Sequence, residues 1–191
     1  IISGELLINL QVSLMRIVVG FFLGAVPGIV LGIVVGWSKR IYAILNPLIS
    51  ATYPIPKTAI LPLLMLLLGL GEPSKYVFIA IGIFYLILIN TTAGVRGTDP
   101  TLIKASISLG ATQGQILRKV LLPSALPMIF AGVKLGLGMA LILVVVAEFF
   151  ASSVGLGYLL WISWQLMLTE KLFAGFFVCG TLGVIFSYGL S

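Results

Sequence analysis

The side chains best placed to do chemistry are four ionisable groups set inside apolar sequence: Arg16, Lys57, Lys134 and Glu148. A charge within a membrane-length apolar run is costly to bury, so each is a functional hypothesis by default. Lys134 lies only a turn or two inside the start of its run, and Arg16 lies near the boundary of its own. Both are expected to snorkel, with the stem among apolar groups and the charged head at the interface. For Glu148 three readings stand: it faces a translocation path, it pairs with a base across a dimer, or it forms a structural ion pair. The chain has no His, one Cys (Cys179, inside an apolar run) and five acidic residues. That inventory excludes zinc, haem, disulfide and His-based catalytic sites, and no acidic cluster suits acid-base or metal work. No catalytic residue, metal ligand or cofactor ligand is therefore expected in this chain.

Two further segments matter through their backbone. Tyr53, Pro54, Ile55, Pro56 and Lys57 interrupt an apolar stretch of 31 residues, about 41 to 71. Two prolines so close together break a helical hydrogen-bond ladder. In lipid the freed carbonyls must face protein or a water-filled cavity, which makes the break a candidate pathway lining. The alternative is a short elbow before an ordinary helix starting near Lys57. After Glu148, the run Ser152, Ser153, Val154, Gly155, Leu156, Gly157 and Tyr158 reads as a flexible turn leading to an apolar segment with Trp161 and Trp164. On its residues alone that segment reads as an interfacial helix anchored in headgroups.

The elements that must position these groups belong in a bilayer. The 191 residues are 60% hydrophobic and 8% charged, with a mean hydropathy of +1.25, a balance that water does not solvate as a compact monomer. Apolar stretches at about 12 to 37, 41 to 71, 76 to 95, 125 to 151 and 172 to 190 read as helices, because lipid offers the backbone no partners and the alternating polarity of a barrel is missing. The fold class is all-α membrane protein, one transmembrane domain over 1–191. The chain starts at Ile1 without a Met and stops just after an apolar run, so it is expected to be incomplete at both ends. No cleavable signal peptide is expected, since the first apolar run is too long and lacks a small-residue cleavage pattern.

Lys39, Arg40, Arg96, Lys104, Arg118 and Lys119 fall on one side of these spans with only Asp99 against them, while Glu5, Glu72, Lys75, Glu170 and Lys171 fall on the other. The positive-inside rule makes the first side cytoplasmic and puts the N-terminus outside. The net charge of +6 is scattered between spans rather than gathered in a patch, which argues against nucleic acid as a partner. Gly20, Gly24, Gly28, Gly32 and Gly36 share one helical face, and Gly132, Gly136 and Ala140 form a shorter row. Both predict close helix-helix packing, and Pro27 is expected to add a kink.

Between the third and fourth spans lies the one sizeable cytoplasmic loop, 97–122. Asp99 before Pro100 is an N-cap with proline at the first helical position. A short helix over 100–109 should end at Gly110, whose φ > 0 would permit a sharp turn. Thr112 and Gln115 form a capping box for a second short helix ending at Leu121, before Pro123. Such a capped hairpin is suited either to docking a partner whose push moves both flanking spans together or to lying as a simple interfacial helix.

Lys104, Ala105, Ser106, Gly110, Val120, Leu122 and Pro123 have the spacing of the loop pattern of importer permeases of the ATP-binding-cassette (ABC) superfamily, Glu-Ala-Ala, three residues, Gly, nine residues, Ile, one residue, Leu-Pro. The flanks, Gly-Val-Arg-Gly-Thr-Asp-Pro before and Leu-Pro-Ser-Ala-Leu-Pro with Val-Val-Ala-Glu after, resemble the nitrate, sulfonate, taurine and bicarbonate branch, from about Ser13 onward. The resemblance implies a type I ABC importer transmembrane fold, with a five-helix core and cytoplasmic coupling helices. It implies an inner-membrane permease that hands a small anion from an extracytoplasmic binding protein across the membrane. The implied partners are a second permease subunit, two ABC ATPases that hold ATP and Mg2+, and the lipid bilayer. It also makes Lys104, Ala105, Ser106, Gly110, Val120, Leu122 and Pro123 the ATPase-coupling residues, and it makes Gly155 and Gly157 part of a candidate gate. Lys104, Ser106 and Val120 depart from the family's Glu, Ala and Ile, and the first reverses a charge.

The chain itself has no phosphate loop, since Gly69-Leu-Gly-Glu-Pro-Ser-Lys75 has the wrong order for one. The rival reading is an ion-coupled secondary transporter or channel, which would normally place paired ionisable groups near the membrane midplane. The sequence offers no such pair.

Overall fold

The computed structural model describes residues 4–189, and among these every regular element is helical. The first helix, α1 (Gly4–Trp37), has 34 residues. At 1.5 Å per residue it is roughly 51 Å long, well beyond the ~30 Å of a hydrocarbon core. It starts ahead of the apolar run because residues 4–11 continue the same turns. Pro27 lies inside α1 without ending it.

The next stretch is cut in two. Helix α2 (Lys39–Thr52) and helix α3 (Lys57–Leu68) meet at 92° across Tyr53, Pro54, Ile55 and Pro56. With 14 and 12 residues, or roughly 21 and 18 Å, neither crosses a bilayer alone. The second apolar stretch is therefore a bent helix pair, the geometry of a broken span or of a re-entrant loop. Its α3 half does begin at Lys57, as the elbow reading expects.

Helix α4 (Glu72–Arg96) lies between α1 and α7 (Leu122–Ala151). A Cβ added at Gly20, Gly32 or Gly36 would sit 2.7, 2.6 or 2.7 Å from the Cβ of Ile79, Thr91 or Val95, and one at Gly24 would meet the Ala80 carbonyl. The five-glycine row is thus the seam between α1 and α4, as its spacing predicts. The same seam carries a hydrogen bond from Thr92 Oγ1 to the Gly32 carbonyl, 3.2 Å. On the other side of α4, Gly132 faces Asn90 and Ile87, and Gly136 faces Ile87 and Ile83. Ile17, Phe78, Ile79, Ile83 and Val144 are buried between these three helices.

Short helix α5 (Pro100–Ser108) follows α4, and α6 (Gln113–Ile116) follows the turn at Gly110. Here the structure departs from expectation. The second helix of the loop does not stop before Pro123. It passes through one π turn, Leu117–Leu121, and continues as α7, giving an uninterrupted helical run over 113–151. Pro123 follows directly on that π turn, and inside a continuous run its missing N–H and its ring would otherwise disturb the carbonyl one turn back; the wider π turn accommodates it.

Helix α8 (Leu156–Gln165) packs on α7, and α9 (Thr169–Tyr188) packs on α8 at the edge. The expected fifth stretch, 172 to 190, matches α9, although residue 190 lies outside the described residues. Among the described residues four helical runs are long and apolar enough to cross a membrane, with the bent pair as a fifth.

Candidate functional site

The hairpin over 97–122 is built from local signals. Asp99 Oδ1 accepts from the Thr101 amide at 2.8 Å, and that bond holds its carboxyl below the usual range. Thr112 Oγ1 accepts from the Gln115 amide at 3.3 Å while Gln115 Oε1 accepts from the Thr112 amide at 2.8 Å, completing the capping box. Gly110 turns the chain at φ +78°, a value that L residues with a Cβ rarely adopt. No residue of α5 is buried. Lys104, Ala105, Gly110 and Pro123 are exposed, and Ser106, Val120 and Leu122 are half-buried. Ser106 spends its hydroxyl on the Leu102 carbonyl, 2.8 Å. The hairpin also presents apolar side chains outward, with Leu102 51%, Ile107 55% and Leu109 87% exposed.

At the break in the second span, Tyr53, Pro54 and Pro56 are exposed and Lys57 is half-buried. Lys57 Nζ donates to the carbonyls of Thr52, Tyr53 and Ile55 at 3.3, 2.7 and 3.0 Å. It also lies over the rings of Tyr53 and, from α4, Tyr85.

The outer end holds what the sequence left scattered. Arg16 is 4% exposed and Glu148 is 0% exposed. Arg16 makes a two-pronged ion pair with Glu72 (Nε to Oε2 2.7 Å, Nη2 to Oε1 2.6 Å). Its Nη1 donates to Glu148 Oε1 at 2.8 Å and to the Val154 carbonyl at 2.6 Å. Lys75 Nζ completes the set on Glu72, 2.9 Å. The cluster thus holds two cations and two carboxylates. The snorkelling expected of Arg16 is corrected, since a guanidinium with two carboxylates and a carbonyl in reach has its donors satisfied inside the protein.

The same cluster caps α8. The first amides of a helix lack internal partners. Here the Gly155, Leu156 and Gly157 amides donate to Asn9 Oδ1 (2.6 Å), Ser13 Oγ (2.8 Å) and Glu148 Oε2 (2.8 Å). Ser13 in turn donates to Glu148. A carboxylate at a helix N-terminus is also favoured by the helix dipole. Gly155 has φ +133°, and a Cβ there would collide with the Glu148 carboxylate. The loop expected to be a flexible turn is therefore pinned by side chains of α1 and α7. Of the three readings of Glu148, the structure shows the intrachain ion pair, and a fully buried Glu148 lines no open path here.

Asn9, Ser13, Glu72 and Tyr85 were not among the residues expected to matter. The signal for the first two was present, because Asn9, Ser13 and Arg16 continue the face of the glycine row toward the N-terminus, and that whole face is buried. Among the described residues no group of three or more His, Cys, Asp or Glu is arranged to hold a metal ion.

Three comparisons bear on this arrangement. A family model described as binding-protein-dependent transport system inner membrane component matches residues 28–190. The chain is 41% identical over 183 residues to SsuC, a Bacillus subtilis transport permease named for aliphatic sulfonates, covering 96% of this chain and 66% of that protein. It is 36% identical over 182 residues to the taurine transport system permease protein TauC of Escherichia coli, covering 95% and 66%. It thus spans just under two thirds of the length of these two relatives. Its fold is that of a chain of the MetNI methionine ABC transporter, solved in inward-facing conformations, with a TM-score of 0.81, 21% identity, and 98% and 93% of the two chains covered.

Proposed function

Because this chain belongs to the family of binding-protein-dependent transport system inner membrane components, a family of multi-pass membrane proteins, we propose that it is the permease subunit of an ATP-driven importer. The observation that supports this most directly is the hairpin. Its backbone is capped at both starts, yet α5 buries nothing and Leu109 is 87% exposed among Lys104, Arg118 and Lys119. An ordered element with outward apolar side chains in a basic aqueous setting suits a protein partner. In this reading the partner is an ABC ATPase that binds ATP and Mg2+, with Lys104, Ala105, Ser106, Gly110, Val120, Leu122 and Pro123 at or beside the contact.

The run over 113–151 gives the coupling a physical route. A push on α6 is carried by continuous helix, through the π turn, into α7, whose far end bears Glu148. Glu148 holds the Gly157 amide directly and the Leu156 amide through Ser13, so motion of α7 reaches the outer loop. That loop, with Gly155 and Gly157, would act as the gate toward a substrate-binding protein. The break at Tyr53, Pro54, Pro56 and Lys57 would line the path. Two permease subunits would enclose that path, and ATP-driven closure of two ATPases below would alternate its opening. The substrate class we propose is a small anion such as a sulfonate, taurine, nitrate or bicarbonate, by analogy with SsuC and TauC.

The test is reconstitution with and without the cognate cassette ATPase and binding protein. Anion uptake and substrate-stimulated ATP hydrolysis are expected only in the complete assembly. Uptake by this chain alone, driven by an ion gradient, would make it a secondary transporter instead.

A further inference from the structure

The break in the second span has an unusual filling. Pro54 and Pro56 bring no N–H, and α2 ends at Thr52 with carbonyls that need donors. Lys57 Nζ meets the carbonyls of Thr52, Tyr53 and Ile55. An ammonium has three N–H donors, and all three are accounted for by three main-chain oxygens. Around the remaining sides stand two aromatic faces, with the Tyr85 centroid at 4.6 Å and the Tyr53 centroid at 5.7 Å. The two rings are 6.4 Å apart and tilted by 53°. Among the described residues no carboxylate pairs with Lys57.

This set of groups has the chemistry of a cation site. Carbonyl oxygens replace a hydration shell, and ring faces attract ammonium groups. The position of Lys57 on its own helix points the same way. It opens α3, where the helix dipole opposes a cation, and its side chain turns back to the C-terminal end of α2, where the dipole favours one. The charge therefore serves the end of α2 and the link to α4 rather than the start of α3.

We propose that the ammonium of Lys57 is a tethered cation filling a carbonyl-and-tyrosine cage at the break, and that this cage, emptied of it, binds a free monovalent cation of the alkylammonium class. Lys57 is then a positioning residue. It fixes the 92° bend and draws the Tyr53 and Tyr85 rings together, with no N–H left to donate to a passing solute. The cage stands on its own geometry, whichever solute the chain carries.

The test uses the full chain in lipid nanodiscs, without ATPase, and reads melting temperature against methylammonium concentration. Lys57→Ala should melt several degrees lower than the unsubstituted chain and should recover saturably as methylammonium fills the cage, as binding linkage requires. The unsubstituted chain should not respond. Tetramethylammonium at equal ionic strength has no N–H to donate and should not restore Lys57→Ala. Lys57→Met, whose stem still fills the site as far as the lysine Cε position, is measured alongside with ammonium in place of methylammonium, in case the shorter side chain of Lys57→Ala impairs folding. Adding Tyr85→Leu to either variant should weaken the recovery. Folded Lys57→Ala or Lys57→Met that shows no recovery, or recovers equally with tetramethylammonium, or recovers regardless of Tyr85, overturns the cage.

Discussion

The two ends of the bundle are held by opposite means. At the outer end, hydrogen bonds join residues 146 positions apart between Asn9 and Gly155 and 166 apart between Glu5 and Lys171. Arg16 and Glu148, both buried, tie α1 to α7 and, through Glu72, to α4. In the hairpin over 97–122, side-chain bonds join residues two to four apart, namely Asp99 with Thr101, Ser106 with Leu102 and Thr112 with Gln115. A region tied by distant partners keeps its shape through the chain's own fold. One whose side-chain hydrogen bonds are all to neighbours, and whose burial is confined to residues such as Ile116 and Leu121, keeps its local conformation but leaves the outer face of α5 open. The difference teaches that one end is self-contained and the other is shaped for contact with something else.

The sharpest way to break that contrast is to cut the outer cluster. Glu148→Ala should cost about 3–5 kcal/mol, because Arg16 loses a buried partner and the Gly157 amide loses its acceptor. The check is chemical unfolding of the purified chain in a mild detergent. Arg16→Met combined with Glu148→Met should cost less than the two single changes summed, since neither then leaves a buried charge facing the other's vacancy. Additive losses would mean that the two residues act separately.

A midsection variant comes next. Gly24→Val puts a side chain against the Ala80 carbonyl and Ile83, and overpacking of this kind costs about 1–3 kcal/mol. The same unfolding measurement should place its loss below that of Glu148→Ala. A larger loss would make the glycine seam, rather than the ionic cluster, the main tie on α1.

Gly110→Val is the corresponding cut at the hairpin. Its Cβ would meet no neighbour, so the penalty comes from φ +78° alone, about 1–2 kcal/mol for a left-handed residue. The loss on unfolding should not exceed that penalty of about 1–2 kcal/mol, while ATPase stimulation in the reconstituted assembly is lost. Retained stimulation would remove the hairpin from the coupling role.

The smallest effect is expected at Asp99. Its carboxyl titrates below the ordinary range because of the Thr101 amide. The cap should therefore be fully in place above the unfolded value of about 3.9 and fade as pH falls through the lowered folded value. Exchange of the Thr101 amide should accelerate over that acidic window and in Asp99→Ala, with the outer cluster's amides unaffected at neutral pH.

Much of the hairpin is legible in the order of its residues. Caps, N1 proline and left-handed glycine are decided by residues a few places apart, so the signals at Asp99, Pro100, Gly110, Thr112 and Gln115 read directly. The one error there, an end at Leu121, arose because Pro123 looks like a stop signal wherever it stands. Only the π turn before it reveals that it sits inside a longer helical run, 113–151. The glycine rows were equally plain, although which helix each row faced was not written in their spacing.

The outer cluster was legible only in pieces. Arg16 and Glu148 each carry a cost that sequence detects, but a charge in an apolar run is satisfied equally well by water at the interface or by a distant carboxylate. Nothing local distinguishes the two.

What the sequence determined by itself was the spans, the glycine seam and the capped hairpin, all products of apolar length and neighbour chemistry. The tertiary structure alone decided that α1, α4, α7 and α8 meet at one ionic cluster, and that Lys57 turns back onto the carbonyls of the helix before it. Those contacts depend on how helices cross and which way a long side chain reaches. Such geometry is set by packing across the whole bundle, where residues far apart in the chain become each other's solvent.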